Sequence, residues 1–105
     1  MQNLIIFNTS FYIVKSFVPT WKHWLKTKVL QGINAQAGHL KIEIFEMMIT
    51  IDEEYQTFSV QWRCSTMREA EQLGGLLSEY YDRMSDVFGD SVTCFNSMME
   101  KYDLT

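Results

Sequence analysis

The sequence predicts an α+β protein of the ferredoxin-like βαββαβ class, a four-stranded antiparallel sheet with two helices on one face. Three observations lead there. Four segments rich in Ile, Val, Phe and Tyr read as strands by period-two alternation and composition. Two segments carry apolar residues every three or four positions, the helical period. Their order along the 105 residues is strand, helix, strand, strand, helix, strand, with no linker between them, which is the split βαβ arrangement. Right-handed crossovers then place both helices on the same side of the sheet, with strand order 4-1-3-2.

The first strand is Leu4 to Val14, where Ile5, Phe7, Phe11 and Ile13 are more apolar than Asn8, Ser10 and Tyr12. Pro19 suits the first turn of a helix, because its missing N–H has no partner there anyway. That helix is predicted to end near Gln31, where "GINAQAGH" supplies Gly32, Asn34 and Gly38 as breakers. A second strand runs from His39 to Ile51, with Leu40, Ile42 and Ile44 on one face. After the polar turn "IDEEYQ", the run "YQTFSVQWRC" sets Phe58, Val60, Trp62 and Cys64 on one face and Thr57, Ser59, Gln61 and Arg63 on the other. The two strands form a hairpin.

Thr66 and Glu69 have the spacing of a capping box and open the second helix, Met67 to Phe88. Ala70, Leu73, Leu77, Tyr80, Met84 and Val87 form its apolar stripe, and Gly89 stands where a left-handed cap belongs. Ser91 to Tyr102 is the last strand.

A single domain over residues 1–105 is expected, long enough to bury a core without staples. The net charge of −4 gives no global attraction for nucleic acid or an anionic membrane. The two cysteines, Cys64 and Cys94, are read as reduced, buried thiols, because their strands are not neighbours in the expected order. The start "MQNLIIFNTSFYIV" lacks the basic segment of a signal peptide, and no apolar run reaches the ~18 residues of a spanning helix. A cytoplasmic, soluble protein is expected.

The sheet face away from the helices is predicted to carry Asn8, Ser10, Tyr12, Thr57, Ser59, Gln61 and Arg63, with Phe45 and Met47 from an edge strand. Faces of this mixed kind either stay wet or stack on a second copy. The expectation is a homodimer, a dimeric α+β barrel, through Tyr12, Phe45, Met47 and Gln61.

The stretch "SFVPTWKHWLKTKV" carries Trp21, Trp24, His23 and four cationic or aromatic neighbours that invite a reading as a site. On a helical wheel Val18, Trp21, Trp24, Leu25 and Val29 share an arc of about 140°, while Lys22, His23, Lys26 and Thr27 fall opposite. Both tryptophans are therefore core anchors. Lys28 lies inside the apolar arc; it either snorkels or marks a cleft. A candidate pocket between helices and sheet comprises Trp24, Lys28, Trp62 and Tyr80. Gly74-Gly75 interrupts the second helix at roughly 1 kcal/mol per glycine, which implies a close approach or a space beside it.

Chemistry is otherwise thin. No catalytic residues, metal ligands or cofactor are assigned. The outward residues Thr57, Ser59 and Gln61 cannot stack bases as an RNA-recognition sheet does, so no nucleic acid and no membrane partner is expected. Trp62 and Asn8 resemble an Asn/Trp pair used by haem-degrading and cofactor-free monooxygenases of this fold. However, the second helix has no histidine to hold an iron.

Taken together, "FNTSFYIV", Trp21-x-x-Trp24, "FSVQW" and "FGDSVTCFNSMME" resemble a small family of uncharacterised proteins, domain of unknown function 4286, with dimeric α+β barrel affinity. Relatives tend to end the first helix in a His-x-Pro step, where this chain has Val29, Leu30 and Gln31. The resemblance implies the fold and no activity. The leading expectation is a non-enzymatic homodimer that binds a small ligand or a protein partner. The alternative is a small monooxygenase- or isomerase-like enzyme.

Overall fold

The computed structural model describes residues 4–49 and 52–104. Strand β1 (Ile5–Val14) pairs antiparallel with β3 (Tyr55–Cys64) on one side and β4 (Val92–Glu100) on the other, and β2 (Lys41–Glu46) closes the far edge beside β3. The strand order β2-β3-β1-β4 is the one the crossovers require. Helices pack on one face, over a core in which Phe11, Ile13, Trp21, Val29, Ile33, Val60, Trp62 and Leu77 are almost fully buried. Register fixes the two faces. Ile5, Phe7, Thr9, Phe11 and Ile13 look toward the helices, opposite Cys64, Trp62, Val60, Phe58 and Gln56 on β3.

The first helical element runs continuously over residues 18–37 as α1 (Val18–Trp24), a stretch of π-helix (Leu25–Leu30) and α2 (Gln31–Ala37). It thus passes straight through Gly32 and Asn34, where a break was expected. The reason is tertiary. Ile33 is fully buried and prolongs the apolar stripe of Leu25 and Val29. Gly32 is not punctuation but a contact, since a Cβ there would overlap the Tyr80 hydroxyl. The helix ends instead at Gly38.

The π stretch also resolves Lys28. Each residue of the wider i→i+5 turn advances less around the axis than in an α-helix. Lys28 therefore lags out of the apolar arc to the exposed side, while Val29 and Ile33 come to the centre.

Strand β2 is shorter than expected. It ends at Glu46, followed by one more bond from Met47 N to Thr57 O at 2.9 Å, and the predicted end at Ile51 lies outside the described residues. The turn into β3 is an Asx turn, with Glu54 N donating to Asp52 Oδ1 at 2.9 Å.

The second helix divides into α3 (Met67–Asp82) and α4 (Met84–Phe88) around Arg83. After that bend Met84 and Phe88 face the core, and Val87, expected on the stripe, is 54% exposed. The cap forms at Thr66, whose Oγ1 accepts from Glu69 N at 3.1 Å, while Glu69 Oε1 reaches one residue beyond the cap and accepts from Ser65 N at 2.9 Å. His39 Nε2 lies 3.0 Å from the other Glu69 oxygen. That hydrogen bond first, then the Ser65 amide, hold the Glu69 carboxyl below its usual range. Gly89 has the expected positive φ of 57°, but with ψ −131° it is not a left-handed helical cap. β4 begins at Val92 and ends at Glu100, inside the predicted span.

The glycine pair divides in role. A Cβ on Gly74 would sit 3.0 Å from the Phe7 ring, so Gly74 lets α3 approach β1. A Cβ on Gly75 would meet nothing within 4 Å. Gly75→Ala is therefore expected to raise stability by about 1 kcal/mol, the ordinary helix gain. Urea unfolding checks this, and a destabilised variant contradicts the open space at Gly75.

Candidate functional site

Besides a cleft of about 300 Å³ where Lys22 and Lys26 border Trp21 and Phe58, three regions hold polar or cationic groups in defined surroundings. The first is the open sheet face. Asn8 lies at its centre on β1, opposite Gln61 on β3 and Ser97 on β4. Its amide donates to Ser10 Oγ at 3.1 Å and Ser97 Oγ at 3.4 Å, and its carbonyl accepts from Ser59 Oγ. Gln61 Nε2 donates to Ser59 Oγ at 3.2 Å. Asn8 has both its amide and its carbonyl bonded within the sheet, and it is only 7% exposed even though no helix covers it. Apolar groups flank this centre. Tyr12 and Phe95 stack with ring centroids 5.9 Å apart, and Phe45, Met47 and Met99 are exposed. Tyr12, Met47, Tyr55 and Thr93 help line a shallow cleft of about 510 Å³ at one end of the face. At the other end Arg63 Nε pairs with Glu43 Oε1 at 3.1 Å.

The second region is a polar cluster on the helix side of the sheet. Thr9 occupies an inward position of β1 and is fully buried. Its hydroxyl donates to Asn96 Oδ1 at 2.8 Å on β4 and lies 3.0 Å from the Tyr81 hydroxyl on α3. A hydroxyl has one proton, and Asn96 Oδ1 takes it, so Tyr81 is the donor to Thr9. Burial pushes the Tyr81 hydroxyl well above the usual phenol range. Burial likewise raises the thiols of Cys64 and Cys94. Both are free, on strands separated by β1.

The third region is a cleft of about 260 Å³ between the first helix and the α3–α4 bend, lined by Trp24, Lys28, Tyr80, Arg83 and Val87. Three of the four residues read from the sequence as a pocket come together here. Trp62 does not join them. It is fully buried on central strand β3, edge-on to Phe7 at 6.4 Å, and its Nε1 has no hydrogen-bond partner. Tyr12, Phe45 and Gln61 lie on the open face by alternation and register, and Met47, just past β2, joins them there by lining the cleft with Tyr12 and Thr57. Asn8 faces away from the helices and from Trp62, so the two do not form one site.

The sequence profile of the family described as Domain of unknown function (DUF4286) matches residues 4–102. The chain belongs to this family. No curated protein matches the sequence. Among solved structures, the fold is similar to a de novo designed protein, Foldit4, at a TM-score of 0.63 and 10% identity, covering 94% of this chain and 99% of that one. It is also similar to a nipsnap family protein with unknown function from Agrobacterium tumefaciens strain C58, at 0.58 and 10% identity, covering 96% and 91%. A dimeric ferredoxin-like protein from an uncultured marine organism aligns at 0.45 and 11% identity over the full length of both chains. At such identities the first two likenesses bear on the fold alone.

Among the described residues, no group of three or more His, Cys, Asp or Glu side chains could hold a metal ion, and no helix is long and apolar enough to cross a membrane. Two features escaped sequence reasoning. Thr9 was hidden in the polar run Asn8-Thr9-Ser10, although its odd position already placed it inward. Arg83 joins Lys28 only because α3 bends there, and no breaker residue in "YYDRMSD" announces the bend.

Proposed function

We propose that this family member is a non-enzymatic homodimeric domain that joins two copies through the open sheet face and binds a small ligand or a protein partner. The observation that carries the dimer is the hydrogen-bonded centre of that face. Burying a polar group costs free energy mainly when it loses its partners. Asn8 and Ser59 already have theirs within one sheet, Gln61 and Ser97 each make one bond to them, and Arg63 is paired with Glu43. A second copy can therefore cover the centre cheaply, while Tyr12, Phe45, Met47, Phe95 and Met99 contribute apolar area. One face meeting itself about a two-fold axis is the commonest oligomer geometry. A non-catalytic role is supported by the space between helices and sheet, which is filled by Trp21, Trp62, Phe11, Leu73 and Leu77.

Light-scattering mass at micromolar concentration tests the dimer. The expected mass is twice that of the chain. Phe95→Glu, at an exposed position, is expected to halve it without changing the circular dichroism spectrum. A monomeric mass for the unaltered protein overturns the reading.

A further inference from the structure

We propose that the cleft between the first helix and the α3–α4 bend binds a small aromatic carboxylate. The proposal rests on the ligand-binding part of the function above and names its site and ligand class; it is independent of the dimer, since the cleft lies on the helix layer and the open face on the other side of the sheet.

Charge comes first. The protein has a net charge of −4 with only nine Lys and Arg residues. Two of them, Lys28 and Arg83, come from separate helices to line the same cleft. Among the described residues neither is bridged to a carboxylate; the ion pairs there are Arg63 with Glu43 and His39 with Glu69. Two unpaired cations converging on one cleft select an anion. The guanidinium fork matches a carboxylate, and the lysine adds a point charge.

The walls specify the rest of the ligand. Trp24 is held edge-on by Phe88 at 5.7 Å, and Tyr80 is seated against Gly32, where no side chain could be accommodated without displacing it. Two fixed aromatic rings with Val87 suit a flat apolar body. The volume of about 260 Å³ lies just below the usual range for small-molecule sites, so it takes a single ring with a short acidic arm.

Backbone irregularity supplies both cations. Lys28 reaches the rim because of the π stretch Leu25–Leu30, and Arg83 sits in the break between α3 and α4. Such π turns are rare and frequently mark functional sites. Core packing explains why the π turn moves Lys28 outward. It does not explain why a second cation meets it.

The test is a titration of ¹⁵N-labelled protein with phenylacetate, read at the three tryptophan indole signals. The Trp24 signal is expected to shift saturably, with half-saturation near ~1 mM or below, the affinity range of a ligand this small. The Trp21 and Trp62 signals stay still. Phenylacetamide, without the charge, is expected to bind at least tenfold more weakly, as is phenylacetate to the Lys28→Ala/Arg83→Ala variant. Both altered residues are exposed, and the unchanged Trp21 and Trp62 signals report an intact fold. No saturable shift at Trp24, equal binding of the amide, or unaltered binding by the variant overturns the proposal. Displacement by equimolar inorganic phosphate also overturns it, because it would reveal a site for any anion. Repeating the titration with Phe95→Glu separates the two readings: binding there persists whether or not the dimer exists.

Discussion

Trp62→Ala is expected to destabilise the protein by about 3–5 kcal/mol, the range for removing a large buried aromatic from a core. Trp62 is 0% exposed and lies on a central strand, opposite Phe7 on one side and Ile42 on the other. Truncation leaves a cavity beneath α3 that the paired strands on both sides cannot close, and it removes the edge-to-face contact with Phe7. Trp62→Phe is the informative control. The Trp62 indole N–H has no hydrogen-bond partner, so replacing it by a smaller apolar ring loses area but also removes a buried, unsatisfied donor. Its cost should fall to about half that of the alanine variant or less. Urea denaturation with unchanged m-values measures both. A Trp62→Ala loss below ~1 kcal/mol contradicts a packed core at this position.

Thr9→Val has the next largest expected effect, about 1–3 kcal/mol, although it keeps the side chain's shape. It takes away the acceptor for Tyr81 and the donor to Asn96 in one step. Asn96 is exposed and can turn to water, whereas the Tyr81 hydroxyl is left in the interior. Most of the cost therefore comes from Tyr81. In a double-mutant cycle, Tyr81→Phe should be less costly in the Thr9→Val background than in the original protein. Additive effects would mean that the two hydroxyls are not coupled.

The same residue predicts a pH dependence. Burial raises the Tyr81 hydroxyl above its ordinary value near ~10. Above that pH the unfolded chain loses this proton and the folded one keeps it, so the folded state binds more protons and stability falls as pH rises. The contribution is complete below pH ~10 and declines above it. The ultraviolet titration should show Tyr81 silent through the range in which free tyrosine ionises, and Tyr81→Phe should lose less stability between neutral and alkaline pH.

Strand identity was readable because it rests on local alternation. Phe58, Val60, Trp62 and Cys64 could share a face only as a strand, and register then carried Tyr12, Phe45 and Gln61 to the open side. The start of α3 was readable for a similar reason, since a capping box acts over three residues. Two misreadings have a common cause. Gly32 looks like a breaker until Tyr80 is placed against it, and Val87 fits the helical period until the chain bends at Arg83. In each case packing against residues distant in the chain decides: Ile33 is buried one residue past Gly32, and beyond the bend Phe88 packs edge-on to Trp24 in place of Val87.

The candidate cleft was half legible. Trp24 and Lys28 are one helical turn apart, and Lys28 stood out as the single charge in an apolar arc. Its place on the rim, and its meeting with Arg83 and Tyr80, depend on a π turn and a helix bend that no local pattern encodes. The sequence by itself determined the order of elements, the two faces of the sheet and the family. Only the tertiary structure decided where helices widen, bend and end, because those choices are settled by which side chains fill the space against the sheet.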